Sequence, residues 1–347
     1  MKTRHVLAGA GLLAAAAIQP VLAQSNVTIY GVIDMFIGRT NGGGDITALD
    51  GRGGLSGSRL GFRGSEDLGK GLKALWAYEL SISPDTGTGA VSSRQSWLGL
   101  QGNWGTASGG FQYAPGYLVA PRFDPLEGSG LIAPRAPLAV AGDYTISSGS
   151  RARWSNSVRY ESPDFNGLVL QGIFANHNDE DSARPSGDDR WGLGATFKRG
   201  PLDLGLVYHN VGAGIGGRDS KEAYVAASYD FRVVRVMGTW QKKEAAGSTS
   251  ADSKLYSIGF VLPVTGATAI EGGFARLDRR GGDADGNSAT VGAIHHLSKR
   301  TSLYAAYNRL HYDDGAVAAP LSRAGIQTAV DAGETAHTLL AGIRHKF

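Results

Sequence analysis

Arginine recurs in this chain within short alternating stretches. Arg59 and Arg63 lie opposite Leu60 and Phe62 in "GSRLGFRGSEDLG", and Arg153 and Arg159 lie opposite Val158 and Tyr160 in "RWSNSVRYESP". A guanidinium stays charged at any physiological pH, so it supplies fixed positive charge and a fork of donors rather than acid–base chemistry. Groups that could catalyse a reaction are poorly arranged. "GAGIGG", Gly212 to Gly217, matches a dinucleotide fingerprint in form, but "RDSKEAYVAASYDF" follows with strand period and no helix. "DADGN", Asp283 to Asn287, begins like a calcium loop, yet its glycine is misplaced and no acid closes it. His295 and His296 are adjacent, so in a strand they face opposite ways and cannot share a metal. There is no cysteine for a thiolate site or disulfide, and no G-x-S-x-G elbow. We therefore expect no metal and no cofactor.

Those arginines need elements to position them, and the elements repeat. Runs with period 2 lie near 27–37, 56–66, 71–82, 93–102, 105–113, 151–161, 168–177, 190–198, 202–210, 220–230, 234–243, 253–262, 268–277, 288–297, 302–312 and 335–347. Connections alternate between short ones such as "RGP" and "LSKR" and long polar ones such as "NDEDSARPSGDD". Tight turns at one end and long loops at the other describe an antiparallel up-and-down meander. A tilted ten-residue strand covers about 24 Å, the height of an outer-membrane apolar band.

The faces point the same way. Val27, Ile29, Ile33 and Met35 oppose Thr28, Tyr30 and Asp34; Leu202, Leu204, Leu206 and Tyr208 oppose Asp203, Gly205, Val207 and His209. Trp76, Tyr78, Tyr160, Tyr208, Tyr229 and Trp240 recur towards the ends of apolar faces, where interfacial girdles place aromatics. The chain ends on an aromatic, Phe347. The expected fold is an all-β, 16-stranded antiparallel transmembrane barrel with lipid outside and water within. One strand fits poorly: if Arg94 of "RQSWLGLQG" faces the lumen, strict alternation sends Leu98 and Leu100 there too, unless a bulge intervenes or the outer face is buried against another subunit.

Lys2 and Arg4 followed by the apolar run Val6 to Ile18 and small residues up to Ala23 read as a signal peptide over 1–23, leaving 24–347 as the barrel domain. The run is too short to span a bilayer as a helix. With those two cations removed, basic and acidic residues nearly cancel, and no Lys/Arg stripe points to nucleic acid. Residues 114–150 break the pattern: "RFDPLEGSGLIAPRAPLAV" carries Pro125, Pro134 and Pro137 and no strand period. Proline keeps such a segment out of a sheet interior, and a connection this long is commonly functional.

"SRLGFRGSEDLGKGLKALWAYEL", "RQSWLGLQGNWGTASGGFQY", "NSVRYESPDFNGLVLQG", "VTIYGVID" and the terminal "GIRHKF" resemble the general diffusion porins of Gram-negative outer membranes, of the beta-proteobacterial type. The resemblance covers essentially all of residues 24–347. It implies a homotrimer in outer-membrane lipid and lipopolysaccharide, passing ions and small hydrophilic solutes passively, with export after cleavage near Ala23. It also implies an inward-folded third extracellular loop. By motif, Arg59, Arg94 and Arg153 become wall residues of a constriction, Asp124 and Glu127 its loop acids, and Phe347 the assembly residue of the last strand. Three arginines against two acids, with Arg122 and Arg135 also in the loop, predict weak anion preference. The alternatives are a substrate-specific channel, which needs a lumenal binding track, and a barrel enzyme with serine and histidine converging on the wall.

Overall fold

A computed structural model describes residues 26–42, 45–51, 53–87, 93–148, 152–176, 189–212, 218–246, 252–280, 285–313, 319–320, 329–330 and 333–347. The expected signal peptide, most of "GAGIGG" and the start of "DADGN" lie outside these residues. Sixteen strands form the wall: β1 (Asn26–Asn41), β2 (Arg59–Gly69), β3 (Leu72–Ser81), β4 (Ser93–Gly102), β5 (Gly105–Tyr113), β6 (Arg153–Glu161), β7 (Leu168–Ala175), β8 (Arg190–Arg199), β9 (Leu202–Val211), β10 (Ser220–Asp230), β11 (Arg235–Glu244), β12 (Ser253–Pro263), β13 (Thr268–Arg279), β14 (Gly286–His296), β15 (Thr301–Tyr312) and β16 (Thr335–Lys346). Each pairs antiparallel with its sequence neighbours, and β1 closes the ring against β16, Val32 opposite Lys346 through Asn41 opposite His337. Closure removes the edge strands that lipid would leave unsatisfied.

Alternation holds around the wall. Val27, Ile29, Ile33 and Ile37 are exposed on the outer face while Val32, Asp34 and Phe36 are buried on the inner one. Tyr78, Tyr160, Tyr229 and Trp240 are exposed among the outward residues, and Tyr208 packs on Trp191 with ring centres 5.3 Å apart. Turns at the chain-terminal end are tight: between β2 and β3 only Lys70 and Gly71 intervene, both with positive φ, as a two-residue hairpin requires.

The awkward strand is resolved by a bulge. Glu79 pairs with Gln95 but Leu80 pairs with Ser93, so Arg94 is an extra residue in β4. Arg94 is buried and bonds the inward Glu79, while Leu98 and Leu100 remain exposed outside. The bulge lets one strand change face without breaking the ladder.

Strands β2 to β6 also end low. Arg59 pairs with Val32, whereas β1 continues nine residues further to Asn41, capped there by the short strand Ile46–Asp50. The long-loop ends of these strands therefore meet the lumen part-way along β1. From the end of β5 the chain enters two helices, α1 (Pro115–Val119) and α2 (Arg135–Ala141), with a 3-10 turn at Ala120–Phe123 between them. Prolines stand at the starts of these pieces, where the missing N–H costs nothing.

This segment packs on inward wall residues. Phe123 and Val119 share a buried cluster with Val207, Tyr224 and Ala226, and Leu126 shares another with Phe36, Ile294, Tyr304 and Leu340. Two wall glycines make the approach possible: a Cβ at Gly205 would stand 2.5 Å from the Phe123 ring, and one at Gly259 would stand 2.9 Å from Pro125. The residues the segment touches alternate with outward apolar ones, so it lies on the inner side of the wall.

Candidate functional site

A cavity of about 480 Å³ separates the segment from β2 to β6, with Arg59, Arg94, Arg153, Tyr117 and Glu127 among its lining. The arginines arrive from strand ends, Arg59 opening β2, Arg153 opening β6 and Arg94 on the β4 bulge. Consecutive antiparallel strands bring those ends side by side.

Glu79 of β3 ties them together. Its buried carboxylate accepts Arg94 Nε at 2.7 Å, the Tyr113 hydroxyl at 2.8 Å and the Tyr30 hydroxyl at 3.1 Å, and Arg59 Nε lies 3.9 Å away. Arg94 Nη2 donates to the Tyr117 hydroxyl at 3.0 Å. The Tyr117 ring stacks on Tyr113, centres 4.0 Å apart and planes within 3°, and Arg153 lies over both rings at 5.5 and 5.6 Å. One carboxylate and a tyrosine pair thus hold three guanidinia in place, because a buried charge must be partnered and a cation is attracted to an aromatic face. Glu79 alternates with the outward Tyr78, which marks it as lumenal, but its residue type carries no sign of this role. The arginines it gathers lie 15 and 20 positions away, and the bulge that brings Arg94 over is invisible in residue types.

Across the cavity the two loop acids separate. Leu126 and Glu127 have φ of 57° and 52°, a left-handed turn that is costly for such side chains. The turn is held by Leu126, fully buried in its cluster, whose N–H donates to Glu271. It directs Glu127 to the opening, where Arg344 Nη2 donates to it at 2.5 Å and Lys346 lies 3.6 Å away. Burial would raise the Glu127 carboxyl, but the bond and charge of Arg344, with Lys346 beyond, hold it below its ordinary value.

Asp124 goes the other way. It is 4% exposed, absent from the cavity lining, and faces Arg135 of α2 at 3.8 Å. Burial pushes its carboxyl up to about 7 against the pull of Arg135. The expectation that Asp124 faces the pore is therefore corrected: the turn that presents Glu127 tucks Asp124 under the loop. Arg122 leaves the opening too, bonding both oxygens of Asp203 at 2.8 Å, and Arg135 donates to Gln241. Lining the cavity, then, are Arg59, Arg94 and Arg153 on the wall side and Glu127 on the loop side, with Arg344 and Lys346 paired to Glu127 and Glu79 buried beneath Arg94 and Arg59.

At the far end of the wall, the Phe347 N–H donates to the Gly31 carbonyl at 3.1 Å, the Phe347 carbonyl accepts the Gly31 N–H at 3.0 Å, and the Phe347 ring covers Gly31. His295 and His296 bond Thr268 and Ser302 respectively, on opposite faces. Asp285 of "DADGN" is taken up by Arg276 and the Arg279 N–H. Among the described residues no cluster of three potential metal ligands occurs.

A closed 16-stranded antiparallel barrel with lipid-facing apolar residues and a charged aqueous opening is an outer-membrane diffusion channel. The chain belongs to the Gram-negative porin family, whose model matches residues 8–315. It is 31% identical to outer membrane porin protein 32 of Delftia acidovorans, over 94% of this chain and 95% of that one. It is 29% identical to the major outer membrane protein P.IB of Neisseria lactamica, over 94% and 96%. Among solved structures, an anion-selective porin from Comamonas acidovorans superposes with a TM-score of 0.80 at 29% identity, covering 93% of this chain and all of that one.

Proposed function

We propose that this porin prefers anions, and that Arg59, Arg94 and Arg153 with Glu127 form its constriction. The observation that carries the reading is the charge lining the opening, Arg59, Arg94 and Arg153 against Glu127, with Glu127 itself engaged by Arg344 and Lys346. Opposing charges closer than a Debye length, about 8 Å at physiological salt, act on every ion in the gap. The relative described as anion-selective supports the same reading. Transport is passive and the chain acts as a channel rather than an enzyme. Residues 1–23 serve as a cleaved export signal.

The protein assembles as a homotrimer through β1 to β4, where Val27, Ile29, Ile33, Leu98 and Leu100 offer an aliphatic outer face. Single-channel recording in planar bilayers tests the selectivity. Exchanging chloride for a bulky organic anion lowers conductance more than exchanging potassium for a bulky organic cation; the reverse order refutes the proposal.

A further inference from the structure

Tyr113 and Tyr117 are stacked, but their hydroxyls meet opposite charges. Tyr113, at the end of β5, donates its proton to the Glu79 carboxylate of β3 at 2.8 Å. Tyr117, the half-buried tyrosine of α1, has an oxygen that accepts Arg94 Nη2 of β4 at 3.0 Å, and Arg153 of β6 lies over its ring at 5.5 Å. Arg59 of β2 adds its charge from the same side. Behind the ring the segment is fastened to β9, where His209 Nε2 accepts the Gly116 N–H at 3.2 Å. A carboxylate acceptor keeps a phenol proton in place, whereas guanidinium donors favour the phenolate. Burial alone would raise the Tyr117 hydroxyl, but the charges of Arg94, Arg153 and Arg59 hold it below its ordinary value.

Of the side chains lining the opening, the arginines stay cationic throughout the range in which a channel can be recorded, and Glu127 is already ionised at neutral pH. Tyr117 is the one lining group, among the described residues, whose charge changes on the alkaline side. Its ionisation takes the lining from three cations against one anion to three against two. The new charge stands 3.0 Å from Arg94, well inside a Debye length of about 8 Å. We propose that Tyr117 is a selectivity-determining residue of the opening, a role that rests on the anion-selective reading of that opening. Its neutral phenol leaves the wall arginines uncompensated, and its phenolate weakens their preference for anions.

The test compares the full porin with its Tyr117→Phe variant, which keeps the stacked ring and removes the ionisable hydroxyl. Zero-current potentials in a potassium chloride gradient are read in planar bilayers at about pH 7 and at about pH 10, the ordinary tyrosine value. Between the two, the chloride-to-potassium permeability ratio of the wild type falls by roughly two- to five-fold, the effect of one unit charge acting across about 4 to 8 Å of water, while that of Tyr117→Phe changes far less. Lys346 is present in both proteins, so the difference between them reads Tyr117. In detergent solution, the ultraviolet absorbance of the wild type shows one of its 13 tyrosines ionising ahead of the rest, a step absent from the variant. An equal fall in both proteins overturns the proposal, as does a wild type in which no tyrosine ionises early. Should the variant not fold, the wild type alone decides: the fall in permeability ratio follows the early absorbance step over the same pH range, and a fall displaced from that step overturns the assignment. A wild type that prefers potassium at about pH 7 refutes the anion reading instead, and the alkaline change removed by Tyr117→Phe still reads Tyr117.

Discussion

On the wall side of the opening, three arginines come from the ends of three different strands, two gathered on one buried carboxylate and the third laid over a tyrosine pair. On the loop side, two acids only three residues apart come from one turn and end in different surroundings. The wall charge is fixed by the register of a closed sheet, which any single side chain barely perturbs. The loop charge depends on a strained backbone turn that exposes Glu127 and hides Asp124. The field across the gap is consequently unequal, strong and positive at the wall and nearly cancelled at the loop, where Arg344 and Lys346 meet Glu127.

Breaking the wall should have the largest effect. A unit charge acts on an ion 4 Å away with about 1 kcal/mol in water, roughly a five-fold change in occupancy. Replacing Arg59, Arg94 and Arg153 together with glutamine is expected to abolish the anion preference in salt-gradient measurements. Next comes Glu79→Gln, which leaves Arg94 buried without its carboxylate. Removing one partner of a buried pair costs about 3–5 kcal/mol, so the variant should unfold at lower temperature in heat-modifiable gel mobility and show noisier single-channel currents.

On the loop side the effects are smaller. Glu127→Gln should raise anion preference by less than the five-fold effect of one unpaired charge, because Arg344 and Lys346 already compensate Glu127. Asp124→Asn should leave the ion ratio unchanged, since Asp124 lies off the cavity. The two acids also differ in the sign of their pH dependence. Asp124 has a raised carboxyl, so its contribution to stability is fully present below its unfolded value and lost as pH rises through about 7. Glu127 has a lowered one, so its contribution is present above its unfolded value and lost as pH falls through the folded value. Thermal unfolding of Asp124→Asn should lose the wild type's change near pH 7, and that of Glu127→Gln its loss of stability in acid.

The same contrast explains what could be read from residue types. The wall was legible because lipid on one side and water on the other force every strand into period 2; β4, β5 and β10 fall on the expected residues, and most others within two or three. The arginines were legible as lumenal charges for the same reason. Glu79 as their hub was not, because cross-strand register and the Arg94 bulge bring those residues together. The fate of the loop acids was hidden too: leucine and glutamate give no sign of a left-handed turn, which tertiary packing of Leu126 imposes.

The most direct test of the unequal field is the zero-current potential across a planar bilayer holding this porin between two potassium chloride concentrations. The account predicts a potential whose sign reports chloride moving more readily than potassium, shrinking towards zero when Arg59, Arg94 and Arg153 are neutralised. A potential of the opposite sign in the wild type, or one untouched by the arginine substitutions, would contradict it.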